Sequence, residues 1–441
     1  MMTELHAIGE RARHLLAQAG TDLGAWVCVT LPLRGVTLHS LPQTRIRRYL
    51  WMRPDRGERW LGLGSAWHGK AGGDDHLQGL AARADTLFEG LVRLDPESVG
   101  GAPRLSLCSS EGRGHLNLPL VQLHGDDHGT RITLCRDPRH PEAWMACLAS
   151  LAEALRQPLD PPPGPPLLSV SGHRPDAGAW IGQAAAAVAA LRRGGLRKLV
   201  LARRIRVTAQ RVLSERHLVQ ALACRHPGCT IFAADLDDGI WVGASPEVLL
   251  DLRAGRLLSE AVAGTVRRDP DQSLDRALGE WLLSDAKNLR EHALVVDALG
   301  EGLLPACRDL EIPARPELMR LRDLQHLRTP LRGRARAGWR ALQMAQRLHP
   351  SPAICGAPRH GARDWLRRHE RLPRRWFAGL SGWIDPTGDA SLNVVLRCAR
   401  LRGRSADLYA GAGLVADSEP LAEWEETELK LSGMIQALSD A

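Results

Sequence analysis

The sequence of 441 residues predicts an α+β fold. Segments with strand character are separated by insertions of varied length, so the chain lacks the regular strand–helix alternation of a doubly wound α/β protein. Two long amphipathic segments, one in the middle of the chain and one at its end, predict helices. Hydrophobic residues make up 44% of the chain and charged residues 24%, which is typical of a globular protein with a sizeable core.

A proline-rich segment divides the chain. Residues 1–157 open with a predicted helix at 8–18 and continue as short apolar stretches broken by glycine and charge. Residues 158–167 read PLDPPPGPPL, which predicts a stiff, extended linker. Residues 168–441 contain every segment to which we assign chemistry, and we find no internal repeat.

The elements after the linker are predicted from hydrophobic periodicity and from residues that start or end a helix or strand. A helix is predicted from Trp180 to Arg193, where two glycines end it, and the apolar run 198–203 is predicted to be a strand. Further strands are predicted at 230–234, 240–243, 248–252, 376–384, 393–402 and 408–410. The long helices are predicted at 274–299 and 419–438.

Composition narrows the class of protein. No run approaches the roughly 18 apolar residues of a membrane span, and the N-terminus lacks the basic and apolar regions of a signal peptide. The nine cysteines form no framework, which is typical of reduced thiols in a cytoplasmic protein. Cys224 and Cys229 have no second ligand pair at zinc spacing, so we interpret them as structural thiols.

The net charge of +8 is compatible with a nucleic acid or with a small anion as the binding partner. The arginines are dispersed, aromatic residues make up 4% of the chain, and no nucleic-acid motif is present. The densest basic cluster, at 367–375, is interpreted as a solvated helix end. A non-catalytic protein that binds nucleic acid therefore stays only as a remote alternative.

Lysine is rare in this chain. Four lysines stand against 54 arginines. Arginine cannot lose its proton in a protein, whereas a poorly hydrated lysine can act as a base. Lys198 begins the apolar strand at 198–203 and is the strongest candidate for that role, although codon bias alone also leaves a few lysines in a chain.

Two long helices carry candidate carboxylates. Glu291 lies one turn after Lys287, and Glu426 shares a polar face with Lys430. Taken alone, each pair is also what a solvated helix surface provides. Glycines at 264, 411 and 413 can bring backbone N–H groups close to an anion, but on spacing alone they are ordinary turns.

The segments between residues 168 and 438 resemble, in order, those of the chorismate-utilising enzymes, a family that includes anthranilate, aminodeoxychorismate, isochorismate and salicylate synthases. The matching segments are KLVLAR (198–203), GASPEVL (243–249), SEAVAGT (259–265), REHALVVD (290–297), LQHLRTP (324–330), HPSPAICGAPR (349–359), WFAGLSGWID (376–385), LYAGAGLV (408–415) and EWEETELKL (423–431). The resemblance implies large mixed or antiparallel sheets packed together and flanked by helices, as in the anthranilate synthase component I-like fold.

Within that family the chain is most similar to the isochorismate-forming members of menaquinone or siderophore synthesis. The resemblance implies that chorismate gains water at C2 and loses its C4 hydroxyl. It assigns Lys198 as the base that activates water, Glu247 as the acid that protonates the leaving hydroxyl, and Glu291 and Glu426 as ligands of Mg²⁺. Salicylate synthase, in which the same step is followed by loss of pyruvate, remains the nearest alternative.

The other substrate contacts are carried over from matching positions. Arg397 and the backbone at Gly411 and Gly413 are expected to hold the enolpyruvyl carboxylate. The remaining contacts implied by the resemblance are Gly264, Thr265, His326, Ala353, Tyr409 and Lys430. Ala263 replaces the nucleophilic lysine of amine-forming relatives, so no glutaminase subunit is expected. The run SDAKNLREH departs from the family pattern only in the neighbours of Glu291.

Overall fold

In the computed structural model, the described residues are 2–18, 25–35, 46–156 and 164–441. The strands, in chain order, are Trp26–Leu33 (β1), Arg48–Arg53 (β2), Glu58–Leu63 (β3), Trp67–Gly72 (β4), Leu91–Leu94 (β5), Leu105–Ser110 (β6), Arg113–Leu118 (β7), Val121–Asp126 (β8), Gly129–Arg136 (β9), Leu168–Arg174 (β10), Lys198–Ala209 (β11), Thr230–Leu236 (β12), Gly239–Ser245 (β13), Val248–Arg253 (β14), Arg256–Arg267 (β15), Cys307–Glu311 (β16), Glu317–Arg320 (β17), Leu324–Ala335 (β18), Gly356–Ala357 (β19), Leu380–Ile384 (β20), Ala390–Val394 (β21), Cys398–Arg402 (β22) and Ser405–Leu414 (β23). The α-helices are Met2–Gln18 (α1), His76–Glu89 (α2), Ala143–Arg156 (α3), Ala177–Arg192 (α4), Glu215–Arg225 (α5), Gln272–Ser284 (α6), Ala286–Leu303 (α7), Ala341–Leu348 (α8), Arg359–His369 (α9) and Pro420–Ser439 (α10).

The strands form two large sheets. The first has the order β10-β11-β23-β22-β13-β12-β2-β3-β8-β9-β1-β5, with β19 beside β11. The second has the order β16-β18-β15-β14-β21-β20-β6-β7-β4, with β17 beside β18. Neighbouring strands are antiparallel except β1 and β5, which are parallel. This arrangement confirms the α+β class predicted from the sequence.

Residues before the predicted linker contribute strands to both sheets. β2 pairs with β12, where Trp51 faces Phe232, and β6 pairs with β20, where Leu107 faces Gly382. Residues 158–163 of the predicted linker lie outside the described residues. The parts of the chain on either side of the linker therefore share both sheets.

The core lies between the sheets and on their outer faces. Trp51 of the first sheet and Trp383 of the second are fully buried and meet edge to face, with ring centroids 5.9 Å apart. Side chains of β12 alternate, since Ile231 packs on the outer face with α5 and Phe232 packs between the sheets. No helix in the described part of the chain is long and apolar enough to cross a membrane. All nine cysteines are free thiols, as expected.

Three sequence predictions about element boundaries are wrong. The helix predicted at 274–299 is two helices, α6 and α7, because Asp285 adopts an extended conformation and caps α7 by accepting a hydrogen bond from Asn288 N. The strand predicted at 376–384 begins only at Leu380. The strand predicted at 393–402 is interrupted between β21 and β22, where the chain passes from one sheet to the other.

The glycines predicted to form turns lie inside strands. Gly411 and Gly413 belong to β23, and Gly264 belongs to β15. Gly264 has a φ of +78° and coincides with a register shift against β18, so it forms a bulge in a continuous strand.

Candidate active site

Two corners of the chain, where strands cross between the sheets, carry Glu247 and Arg397, and both residues line one cavity. β13 lies in the first sheet and β14 in the second, and Glu247 lies at the crossing. β21 and β22 cross in the reverse direction, with Arg397 at the corner in a left-handed conformation of φ +46°. The corners are hydrogen-bonded to each other, because Ala244 N donates to Arg397 O at 3.1 Å and Val394 N donates to Glu247 O at 3.2 Å.

All thirteen residues assigned from the sequence line one cavity of about 100 Å³ next to these corners. They come from both sheets, from α7 and α10, and from the loop before β19. They are Lys198, Glu247, Gly264, Thr265, Glu291, His326, Ala353, Arg397, Tyr409, Gly411, Gly413, Glu426 and Lys430.

Lys198 is buried at the start of β11, with 1% of its surface exposed. Its Nζ lies 2.9 Å from Glu291 Oε1 on α7. The alternative in which Glu291 and Lys287 form a surface pair is wrong, since Glu291 is buried and Lys287 donates to Glu423 at 2.6 Å instead. A proton taken up by Lys198 therefore strengthens this contact, because the resulting ammonium forms an ion pair with the Glu291 carboxylate.

Glu247 is a buried carboxyl group that retains its proton. Its pKa is raised to about 8, mainly by burial and also by the charge of Glu260, although Lys198 and Lys430 act in the opposite direction. Its Oε1 has no hydrogen-bond partner among the described residues. A protonated carboxyl group with a free oxygen beside a cavity is well placed to donate a proton to a bound molecule.

Carboxylates from α7 and α10 meet at the edge of the cavity. Glu426 pairs with Lys430 at 2.6 Å, and both remain partly exposed. Burial and the charges of Glu426 and Glu291 raise the pKa of Glu423, which accepts a hydrogen bond from Ser418 Oγ at 2.7 Å. Each of these three carboxylates is paired with a lysine, so a metal ion here would share a carboxylate with a lysine.

The donor set fits Mg²⁺. Among the described residues, no group of three or more His, Cys, Asp or Glu side chains is arranged to hold a metal. Mg²⁺ commonly takes one or two protein carboxylates and completes its octahedron with water and ligand oxygens. Glu291 and Glu426 both line the cavity, and two carboxylates lie within that range.

Arg397 is available for an anion. It donates from Nη2 to His326 Nε2 at 2.7 Å, and no carboxylate of the described residues is hydrogen-bonded to it. Burial lowers the pKa of His326 well below its usual range, so its ring is neutral and its Nδ1–H faces Gly264 O at 3.2 Å. A guanidinium with a neutral partner suits bidentate capture of a carboxylate.

Sequence reasoning missed the apolar walls of the cavity. Phe377, Ile354, Leu396 and Val262 line it. The Phe377 ring stacks on Tyr409 with centroids 5.6 Å apart and an interplanar angle of 19°. The buried Tyr409 hydroxyl has no hydrogen-bond partner among the described residues. The only sequence signal for Phe377 was its place in the segment WFAGLSGWID.

Part of the basic cluster at 367–375 is paired within the protein. Arg367 pairs with Asp74 at 3.3 Å, and Arg374 donates to Glu370 at 2.8 Å. These two arginines have acidic partners, whereas Arg368 and Arg371 are exposed, as a solvated helix end predicts.

The chain is similar to known proteins over most of its length. Residues 27–439 match the family described as chorismate binding enzyme. The salicylate biosynthesis isochorismate synthase of Pseudomonas aeruginosa is 41% identical over 374 residues, which cover 81% of this chain and 76% of that protein. The isochorismate synthase EntC of Escherichia coli is 40% identical over 239 residues, 54% of this chain and 61% of that protein.

Solved structures are similar over almost the whole chain. MenF, the menaquinone-specific isochorismate synthase of Escherichia coli, has a TM-score of 0.80 at 26% identity and covers 99% of both chains. Anthranilate synthase component I of Streptococcus pneumoniae has a TM-score of 0.67 at 21% identity, covering 95% of this chain and 96% of that one. The second likeness supports the expected fold.

Proposed function

The chain belongs to the chorismate-binding enzyme family, and we propose that it converts chorismate to isochorismate in a Mg²⁺-dependent reaction. The observation that carries the proposal is that one cavity contains Lys198, a protonated Glu247 and Arg397. This set provides a base, an acid and an anion-binding group. The similarity to isochorismate synthases of both siderophore and menaquinone type supports the same reaction.

In the proposed mechanism, Arg397 and the backbone at Gly411 and Gly413 hold the enolpyruvyl carboxylate. Lys198 takes a proton from water, whose oxygen bonds to C2 of the ring. The ring double bonds shift, the C4–O bond breaks, and Glu247 donates its proton to the leaving hydroxyl, which departs as water. Lys198 ends the step as an ammonium and Glu247 as a carboxylate, so one proton must return before the next turnover.

Glu291 and Glu426 are proposed to hold Mg²⁺. When bound, the ion would neutralise the ring carboxylate of chorismate. Lys198 contacts the same Glu291 carboxylate, so this carboxylate is shared between the base and the proposed metal site.

The proposal is tested by incubating the protein with chorismate and Mg²⁺ and identifying the product by chromatography. Isochorismate as the major product is expected. Salicylate with pyruvate would instead assign the salicylate synthase reaction. Salt-sensitive DNA binding without chorismate turnover would point to the remote nucleic-acid alternative.

We expect Glu291→Gln and Glu426→Gln each to raise the Mg²⁺ concentration needed for half-maximal activity by at least about tenfold, because each removes one carboxylate ligand. Activity is measured as a function of Mg²⁺ concentration. Glu425→Gln, an exposed neighbour on α10, is the control and should match the parent. Curves for both single variants that overlay the parent would remove the ligand assignment.

We expect Gly413→Ala to lower kcat by roughly 100-fold. A Cβ at this position would overlap Glu291 Oε1 and lie 2.8 Å from Lys198 Cε, while the backbone is fixed by pairing with Val200. Gly172→Ala on β10 is the matched control, since its Cβ would meet no atom within 4 Å and Gly172 does not line the cavity. Equal kinetics for the two variants would mean that this close approach has no role.

A further inference from the structure

A second buried carboxyl group lies beside Glu247 but outside the cavity. Glu260 is on β15, 7% exposed, and does not line the cavity. Among the charged groups that act on Glu247, Lys198 on β11 and Lys430 on α10 favour its ionisation, and Glu260 alone opposes it. The mechanism above gives Glu260 no role.

Continuing the strand register places Glu260 opposite Leu249, two residues from Glu247. β14 and β15 are antiparallel with Asp251 opposite Leu258, and Ser259 Oγ donates to Leu249 O at 2.7 Å. Glu260 and Val262 are two residues apart on β15, so their side chains share a face. Val262 and Glu247 both line the cavity. Glu260 precedes Val262 by two residues on β15 and does not line the cavity.

Glu260 forms an ion pair despite its burial. Arg328 on β18 donates from Nη1 to Glu260 Oε1 at 3.2 Å and from Nε to the exposed Glu317 at 2.8 Å. Burial raises the pKa of Glu260, and Arg328, Arg53 on β2, Arg56 and Arg332 act in the opposite direction. The ion pair with Arg328 favours the charged form of this buried carboxyl group, close to the group that must keep its proton.

We propose that Glu260 is a positioning residue that acts through Glu247. Its buried carboxylate repels a second negative charge at Glu247, so Glu247 keeps its proton at neutral pH although Lys198 and Lys430 lie nearby. Positive charge on these lysines would otherwise favour the ionised form of Glu247, which cannot donate a proton. The inference rests on the proposed function only in naming Glu247 as the proton donor.

The test compares Glu260→Gln with Glu260→Asp. In Glu260→Gln, the pH at which kcat falls on the alkaline side is expected to move down by on the order of one pH unit, with KM unchanged because Glu260 does not line the cavity. Glu260→Asp keeps the charge and is expected to retain the parent profile. Glu317→Gln removes the outer carboxylate on Arg328 and serves as the matched control.

A second measurement does not require turnover. The infrared band of the protonated Glu247 carboxyl group, assigned by its loss in Glu247→Gln, is titrated in each variant. Its midpoint is expected to be lower in Glu260→Gln than in the parent. Glu260→Thr, a second neutral replacement compatible with a strand, is expected to lower the midpoint in the same way.

The outcomes separate the two proposals. If the midpoint and the alkaline limb are the same in the parent and in both neutral variants, the role of Glu260 is overturned, even if kcat falls. If the parent forms no isochorismate but the infrared midpoint moves as expected, the electrostatic role stands and the proposed reaction fails.

Discussion

Lys198→Arg is expected to lower kcat for chorismate by about 10²- to 10⁴-fold, the contribution typical of a general base. Arginine keeps the positive charge but cannot become neutral near pH 7, so it cannot accept a proton from water. Steady-state kinetics with chorismate and Mg²⁺ measure the loss. Lys198 is the only one of the four lysines that begins a strand in the cavity wall.

Lys70→Arg is the control for this substitution. Lys70 is exposed on β4, far in the fold from α7 and α10, and its replacement should leave kcat unchanged. Thermal unfolding checks that Lys198→Arg still folds, since the guanidinium replaces a fully buried ammonium. Activity within a few-fold of the parent in a folded Lys198→Arg protein would remove Lys198 from the role of base.

Glu247→Gln is expected to lower kcat by a similar factor, about 10²- to 10⁴-fold, because an amide cannot protonate the leaving hydroxyl. The parent itself should lose activity as the pH rises through about 8, where Glu247 gives up its proton. The pH dependence of kcat measures this limb. A parent whose kcat is flat up to pH 10 would contradict the assignment of Glu247 as the acid.

The same substitution has an effect on stability that is independent of catalysis. The folded protein holds the Glu247 proton up to about pH 8, whereas an unfolded glutamate loses it near 4.5. Between these values the unfolded state binds fewer protons, so the free energy of unfolding falls as the pH rises, by on the order of 3 kcal/mol between pH 4.5 and 7. Glu247→Gln should lack this part of the slope in denaturant titrations across that range, and Glu425→Gln should keep it.

The segments that line the cavity could be identified from the sequence because each is a continuous stretch with its own local pattern. The apolar run at Lys198, the amphipathic helix of Glu426 and the ordered series of motifs identified the fold class, the family and the residues that meet in the cavity. Helix and strand periodicity are local properties, so α4 and α10 lie within a few residues of their predicted bounds.

The features that depend on contacts between residues distant in sequence were decided only by the tertiary structure. The break at Asp285 and the crossing at Arg397 leave no periodic signal, because a cap and a left-handed corner each depend on single residues. The pairing of Glu291 with Lys198, rather than with Lys287 one turn away, depends on β11 lying against α7. The sequence determined which side chains this protein has for acid, base and cation. Burial and the neighbouring charges of Glu260, Lys198 and Lys430 determined that Glu247 keeps its proton, because desolvation and Coulomb interactions arise only when the strands are packed together.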